Sequence, residues 1–390
     1  MDFALTEEQK LLKEGVRRIG RKYGLEYWRE KDARHEFVHE LWRELGENGY
    51  IGLAIPEEYG GAGLGLLEMA MVVEELAASG AGSTVAQLFM ITPVFGGLTI
   101  TLHGTEAQKK EYLPAIAAGK KDFCMALTEP NAGSNSLEIT TFAEKDGDYY
   151  IINGQKIWIT GVDVADRMLL VARTTKRDQV QRKTDGISLF IVDPKDPAIT
   201  TTPIEKVGTH CLRSDTVFIE NLRVHKDQLI GEEGKGWRAL LDTLNAERVV
   251  TTAGLIGTGE LAIRLAVEYA KERKVFGQTP IGAYQGIQFP LVRLRAELEL
   301  AQLMNYKAAW LYDHKQPSGR EANMAKLIAG EAAFGACDRA MQTMGGYGYA
   351  KEYHVERLWR DVRLFRIAPV SEEMILNFIA QHDLGLPRSY

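Results

Sequence analysis

Phe123-Cys124-Met125-Ala126-Leu127-Thr128 is a short, mostly apolar run that breaks at once into Glu129-Pro130-Asn131-Ala132-Gly133-Ser134-Asn135. Pro, Asn and Gly set turn geometry, so the run reads as a strand that stops at a surface. Gln155-Lys156-Ile157-Trp158-Ile159-Thr160-Gly161 closes a second β-rich run beginning at Tyr149, and simple alternation puts Trp158 and Thr160 on one strand face. Two strand ends thus offer hydroxyls, backbone N–H groups and an indole. Such groups could hold a flat, polar-edged ring by its rim and cover one of its faces. A strand ending in Thr before a turn is also simply a strand end, and these residues alone leave both readings open.

The chain that must position these groups has 390 residues, more than one hydrophobic core usually holds, so two or three domains are expected. It is 45% apolar and 26% charged with net charge -6, an ordinary soluble composition that argues against charge-driven nucleic-acid binding. Cys124, Cys211 and Cys337 are odd in number, with no CxxC or Cys/His spacing, so neither a disulfide framework nor a metal site is expected. The opening Met1-Asp2-Phe3-Ala4-Leu5-Thr6-Glu7-Glu8 carries acids where a secretory signal carries bases, and reads as a cytoplasmic start. No stretch is expected to reach the roughly 20 apolar residues of a membrane span.

Thr6 with Gln9 forms a capping-box pattern, which predicts a helix from about residue 7. Further helical patterns at about 38–48, 66–79 and 106–119 make residues 1–120 an N-terminal helical domain. Over 121–232 the texture turns to β-branched runs at 149–152, 167–172, 186–192 and 216–220, with a hairpin signal at Lys145-Asp146-Gly147-Asp148. This predicts a small central β barrel or sandwich. Long amphipathic patterns return at about 236–272, 284–313, 319–345 and 371–383, so residues 233–390 are expected to form a C-terminal four-helix bundle. The fold class is α+β, mostly α, with a crevice between the β domain and the bundle.

LTEPNAGSN (127–135) followed by NGQKIWITG (153–161) closely resembles the paired flavin-binding signatures of the acyl-CoA dehydrogenase family. The resemblance extends over nearly the whole chain and implies this same three-domain arrangement, with FAD as cofactor. It also implies roles. Met125, Leu127 and Thr128 would face the flavin ring edge, Ser134 would meet the flavin phosphate or the CoA arm, and Trp158 and Thr160 would contact the ring and its N5. Glu272-Arg273-Lys274-Val275-Phe276-Gly277 and Gln285 resemble the family's ERxxFG…Q segment, where Arg273, Phe276 and Gln285 reach the diphosphate and adenosine half of a neighbouring subunit's cofactor. Gln342 and Gly346, in a QxxGGxG match, would join them, and Ser371 and Glu373 match the remaining cofactor positions.

The family's usual base is a Glu near the C-terminus. Aligning Arg360–Ile367 with the strand-like run before it puts Pro369 at that place, where neither a carboxylate nor a backbone N–H is available. A subgroup, the isovaleryl- and long-chain-type enzymes, carries the Glu on a bundle helix before an Arg. Asn245-Ala246-Glu247-Arg248 matches it, so the resemblance assigns Glu247 as catalytic base, with Asn245, Arg248 and Ser134 at the substrate. The implied activity is α,β-dehydrogenation of an acyl-CoA, with electrons passing to an electron-transfer flavoprotein and a homotetramer built as a dimer of dimers. Between Glu75 and His103 the sequence has no charged residue, which favours a neutral acyl group. Enoyl-CoA reduction, acyl-CoA desulfination and a non-catalytic CoA-binding scaffold are the alternatives. His103 and His210 read as ordinary polar residues at element ends.

Overall fold

The computed structural model describes residues 4–388. Thr6 caps the first helix as its spacing requires: its Oγ1 accepts from the Gln9 N–H at 3.2 Å and its own N–H donates to Gln9 Oε1 at 3.1 Å. The helical N-terminal part comprises α1 (Glu7–Lys22), α2 (Leu25–Arg34), α3 (His39–Glu47), α4 (Leu66–Leu76), α5 (Thr84–Phe89), α6 (Thr99–His103) and α7 (Glu106–Ala117). A wide-turned π-helical stretch, Met90–Leu98, joins α5 to α6.

The β domain holds β1 (Phe123–Ala126), β2 (Phe142–Asp146), β3 (Tyr149–Thr160), β4 (Arg167–Arg173), β5 (Ile187–Val192), β6 (Ile199–Pro203), β7 (Ser214–His225) and β8 (Leu229–Ile230). Their order is β6-β7-β3-β2-β4-β5-β8, with β1 parallel to β4. β2 and β4 meet only at Phe142 and Arg173, so the sheet folds over itself in two halves. One face of β4 and β5, with Met168, Leu170, Ala172 and Phe190, packs on Tyr150, Ile152, Val217 and Ile219 of the other half. Their opposite face, with Leu169, Val171, Leu189 and Ile191, packs on Tyr112, Leu113 and Ile116 of α7 and on Leu240. Burial on both faces explains why these strands read as continuous apolar runs.

The C-terminal part contains α8 (Gly236–Glu272), a small ribbon of β9 (Lys274–Val275) and β10 (Thr279–Pro280), α9 (Gln285–Asp313), α10 (Gly319–Met344), α11 (Val355–Arg363) and α12 (Glu372–His382). α8, α9 and α10 pack on one another, α11 packs on α8 and α10, and α12 lies on α10. α11 corrects one expectation: Arg360–Ile367 is not strand-like but the end of a helix followed by a 3-10 turn at Leu364–Arg366. Val355, Leu358 and Val362 recur at helical spacing and are buried.

A second expectation also changes. Thr84–His103 and Gly236–Glu272 are both long and apolar enough, by composition, to cross a membrane. Their apolar stretches are 83% and 78% buried inside the fold, which makes them core helices of this domain arrangement.

Candidate active site

The two strand ends meet. Thr128 O accepts from Ile157 N at 2.9 Å, which lays the turn after β1 beside the last part of β3. Lys156, on the inward side of β3 and fully buried, donates through Nζ to Glu129 Oε1 at 2.9 Å and to Leu127 O at 3.0 Å. Glu129 also accepts from Thr140 N, Thr140 Oγ1 and Thr141 N at 2.7, 2.8 and 2.9 Å. Burial alone would raise the Glu129 carboxyl, but the Lys156 ammonium and these hydrogen bonds hold it at about 2. The pair staples together the two segments expected to hold the ring. Neither residue was singled out from sequence, although a lysine at an inward position of a strand needs a buried counter-charge and was the available signal.

Trp158 corrects the alternation argument. The pairing of β3 with β7 shifts register between Lys156 and Ile159, and Trp158 takes φ 62, a left-handed conformation rare for a bulky residue. The bulge turns the indole out, 54% exposed, while Thr160 resumes the ladder half-buried. Thr160 and Trp158 therefore do not share a regular strand face. Thr160 Oγ1 lies 2.9 Å from Ser214 Oγ, which accepts from Lys206 Nζ at 2.9 Å. Met125 and Leu127 are half-buried, and Ser134 is exposed on the turn. Ile91, in the π-helical stretch, comes so close to Gly161 that a Cβ there would stand 2.9 Å from Ile91 Cδ1.

α8 brings the acidic candidate to the same region. Leu244 of α8 and Met125 of β1 pack against the same two apolar clusters. Two turns after Glu247, on the same helix face, a Cβ at Gly254 would fall 2.5 Å from Ala86 Cβ, so α8 lies directly against α5. Glu247 is 3% exposed and its Oε2 is buried without a hydrogen-bond partner. Burial pushes its carboxyl up to about 8, against the pull of Arg248 and of Lys326 on α10. Arg248 Nη1 donates to Asn245 Oδ1 at 2.8 Å and to Leu244 O at 3.3 Å, while its Nε is unpaired. Glu247, Asn245 and Arg248 thus form one group on one helix turn.

Around Pro369, Lys326 Nζ donates to Val370 O at 2.7 Å, and Arg366 grips Glu372 through two bonds of 2.6 and 2.7 Å. Ser371 caps α12, accepting from Met374 N at 3.4 Å. Ser371 and Glu373 line a small hollow with Arg363 and Arg366.

Arg273 and Phe276 lie elsewhere, just beyond the C-terminal end of α8, about 39 Å along the helix from Glu247 at 1.5 Å per residue. With Tyr269, Tyr284, Gly346 and Tyr347 they line a cleft of about 980 Å³. Gln285 and Gln342 are exposed next to lining residues. Phe276 is 98% exposed. Within one copy of the chain, this group and the Glu247 group do not meet.

The three parts also match known sequences. Models of the acyl-CoA dehydrogenase N-terminal, middle and C-terminal domains match residues 6–120, 124–222 and 234–384. The chain belongs to the acyl-CoA dehydrogenase family. It is 44% identical to acyl-CoA dehydrogenase FadE12 of Mycobacterium tuberculosis over 100% of this chain and 99% of the relative. It is 36% identical to caffeyl-CoA reductase-Etf complex subunit CarC of Acetobacterium woodii, over 93% of this chain and 94% of that protein. A solved glutaryl-coenzyme A dehydrogenase–glutaryl-CoA complex superposes with TM-score 0.94 at 33% identity, covering 100% of this chain and 98% of that one. As a member of the acyl-CoA dehydrogenase family the protein is a flavoprotein oxidoreductase whose cofactor is FAD. The residues present are of the kinds that cofactor needs: an outward indole at Trp158, and the Thr128 and Thr160 hydroxyls on two segments joined by the Thr128 O–Ile157 N bond.

Proposed function

We propose that this acyl-CoA dehydrogenase family member forms the α,β double bond of a neutral acyl-CoA, with Glu247 as the base. The observation that carries the reading is a carboxylate oxygen, Glu247 Oε2, buried without a partner on a helix whose Leu244 packs on the same apolar clusters as Met125 of β1. A carboxyl in such surroundings holds its proton strongly once it has one, which suits the removal of a weakly acidic proton beside a thioester carbonyl. Bound FAD supplies the acceptor for the hydride that leaves the β-carbon. Arg248, tethered by Asn245, keeps a cation next to the base, and Lys326 places a second one on the facing helix. Trp158 and Thr160 would lie at the flavin ring, with Met125, Leu127, Thr128 and Ser134 along its edge and phosphate. Arg273, Phe276, Gln285, Gln342 and Gly346 would serve the cofactor of a neighbouring copy in a tetramer. Their distance from Glu247 and the full exposure of Phe276 support that arrangement. Electrons would leave to an electron-transfer flavoprotein.

The test is Glu247→Gln. The variant should keep its yellow flavin, while anaerobic bleaching by a panel of acyl-CoAs slows by about 10²–10⁴-fold, the usual contribution of a positioned base. Near-normal bleaching would overturn the assignment. Pro369 favours a second reading: its missing N–H removes one donor for the thioester oxygen, and a relative is named a caffeyl-CoA reductase. Under that reading the site runs as an enoyl-CoA reductase, and enoyl-CoA would reoxidise the pre-reduced protein faster than acyl-CoA bleaches it.

A further inference from the structure

The loop between β6 and β7, residues 204–213, carries Lys206 to the back of Thr160. Ile204 N donates to Ser214 O and Gly161 N to Arg213 O, both at 2.8 Å, so the loop is anchored to the end of β3. Lys206 Nζ donates to Leu212 O and, at 2.9 Å, to Ser214 Oγ. Ser214 is 4% exposed, and its hydroxyl lies 2.9 Å from Thr160 Oγ1.

The direction of this chain follows from its first member. An ammonium has three donors and no acceptor, so the contact with Lys206 occupies a lone pair of Ser214 Oγ. Either hydroxyl could donate across the Ser214–Thr160 contact, but among the described residues Thr160 Oγ1 is the remaining side-chain acceptor for the Ser214 proton, so the arrangement that satisfies Ser214 has it donating to Thr160. With an acceptor site of Thr160 filled from behind, its own proton is left free for another partner. Polarisation along such a chain strengthens the terminal donor.

We propose that Lys206 is a positioning residue that, through Ser214, fixes the Thr160 hydroxyl as a hydrogen-bond donor toward the bound flavin ring and sets a positive charge behind it. This rests on the reading that the ring lies against Trp158 and Thr160. Burial draws Lys206 down to about 8, opposed by Asp361, Asp163 and Asp215, so it remains largely charged at neutral pH. Asp215 is itself gripped by Arg213 at 2.7 and 2.8 Å, and Asp361 by Arg357 at 3.3 Å. Two of the acids around Lys206 are therefore already compensated by other cations.

The experiment uses the FAD-loaded protein and reads the flavin itself. Lys206→Met should lower the two-electron reduction potential by about 30 mV, a ten-fold change in the equilibrium, because the reduced ring is the more electron-rich form. Lys206→Arg, which keeps a cationic donor, should restore most of it. Ser214→Ala keeps the charge but cuts the path, and should reproduce the shift of the visible flavin band given by Thr160→Val. If Thr160→Val shifts the band while Ser214→Ala matches the parent protein and Lys206→Met leaves the potential unchanged, the relay is overturned and the ring's placement stands. If Thr160→Val itself changes nothing, the placement of the ring beside Thr160 fails.

Discussion

Glu247 shows what burial does to a single carboxyl. Its ionised form must take the proton, and burial moves its titration up to about 8, so the rate of flavin reduction should rise with pH and level off above that value. Lys326→Met removes a cation that favours the ionised form, and should move this acid limb up by about one pH unit. Stopped-flow bleaching across pH would read it, with Lys326→Arg as the control that leaves the limb in place. The same residue affects stability with a defined sign. The folded protein holds the Glu247 proton to about 8, whereas the ordinary value is 4.5, so this group's contribution falls as pH rises between the two. Glu247→Gln should remove that part of the pH dependence of unfolding.

At the scale of elements, the Glu129–Lys156 pair decides whether the turn after β1 and the end of β3 stay in register. Both side chains are buried, and hydrogen bonds join them to each other and to Leu127 O, Thr140 and Thr141 N. Lys156→Met strands a buried carboxylate and should cost about 3–5 kcal/mol of unfolding free energy, measured by denaturant titration. The double variant with Glu129→Gln should recover part of the loss, because no charge is then left unpaired. Local signals made much of the architecture legible: the Thr6 cap, the Lys145–Asp148 hairpin and the long amphipathic helices each follow from residues within a few positions. What was not legible depends on distant partners. The bulge at Trp158 is a mismatch between β3 and β7, and nothing within β3 announces it. α11 was obscured because its buried face includes Arg357 and Asp361, charges that belong inside only because other elements meet them there. Glu247 was found through resemblance, since a Glu-Arg pair on a helix ordinarily faces water.

At the scale of the molecule, one charged cluster joins all three parts. Asp32 of α2 receives Arg360 Nη2 at 2.8 Å and lies 3.3 Å from His210 Nδ1. Asp361 accepts from Thr209 N at 2.5 Å and from Thr84 Oγ1 at 3.2 Å, and Arg357 donates to Gly80 O and Ala81 O at 2.6 and 3.0 Å. His210, which reads from sequence as an ordinary end residue, is a member of this clasp, and the Asp32 carboxylate beside it raises its pKa. A raised histidine stabilises the fold fully below its ordinary value of 6.5, and that contribution is lost as pH rises through the folded value. Thermal melts should show this loss as pH rises above 6.5, and His210→Gln should lack it. The apolar interior is shared in the same way: a single cluster contains Val16 and Phe89 from the first part, Leu212 from the loop before β7, and Val250 and Ala309 from the bundle. Linear segments of this chain are therefore poor units of exchange. A hybrid spliced from two relatives at a segment boundary inherits mismatched halves of one interior, so lineages that recombine such genes must accept the whole reading frame or repair the seam.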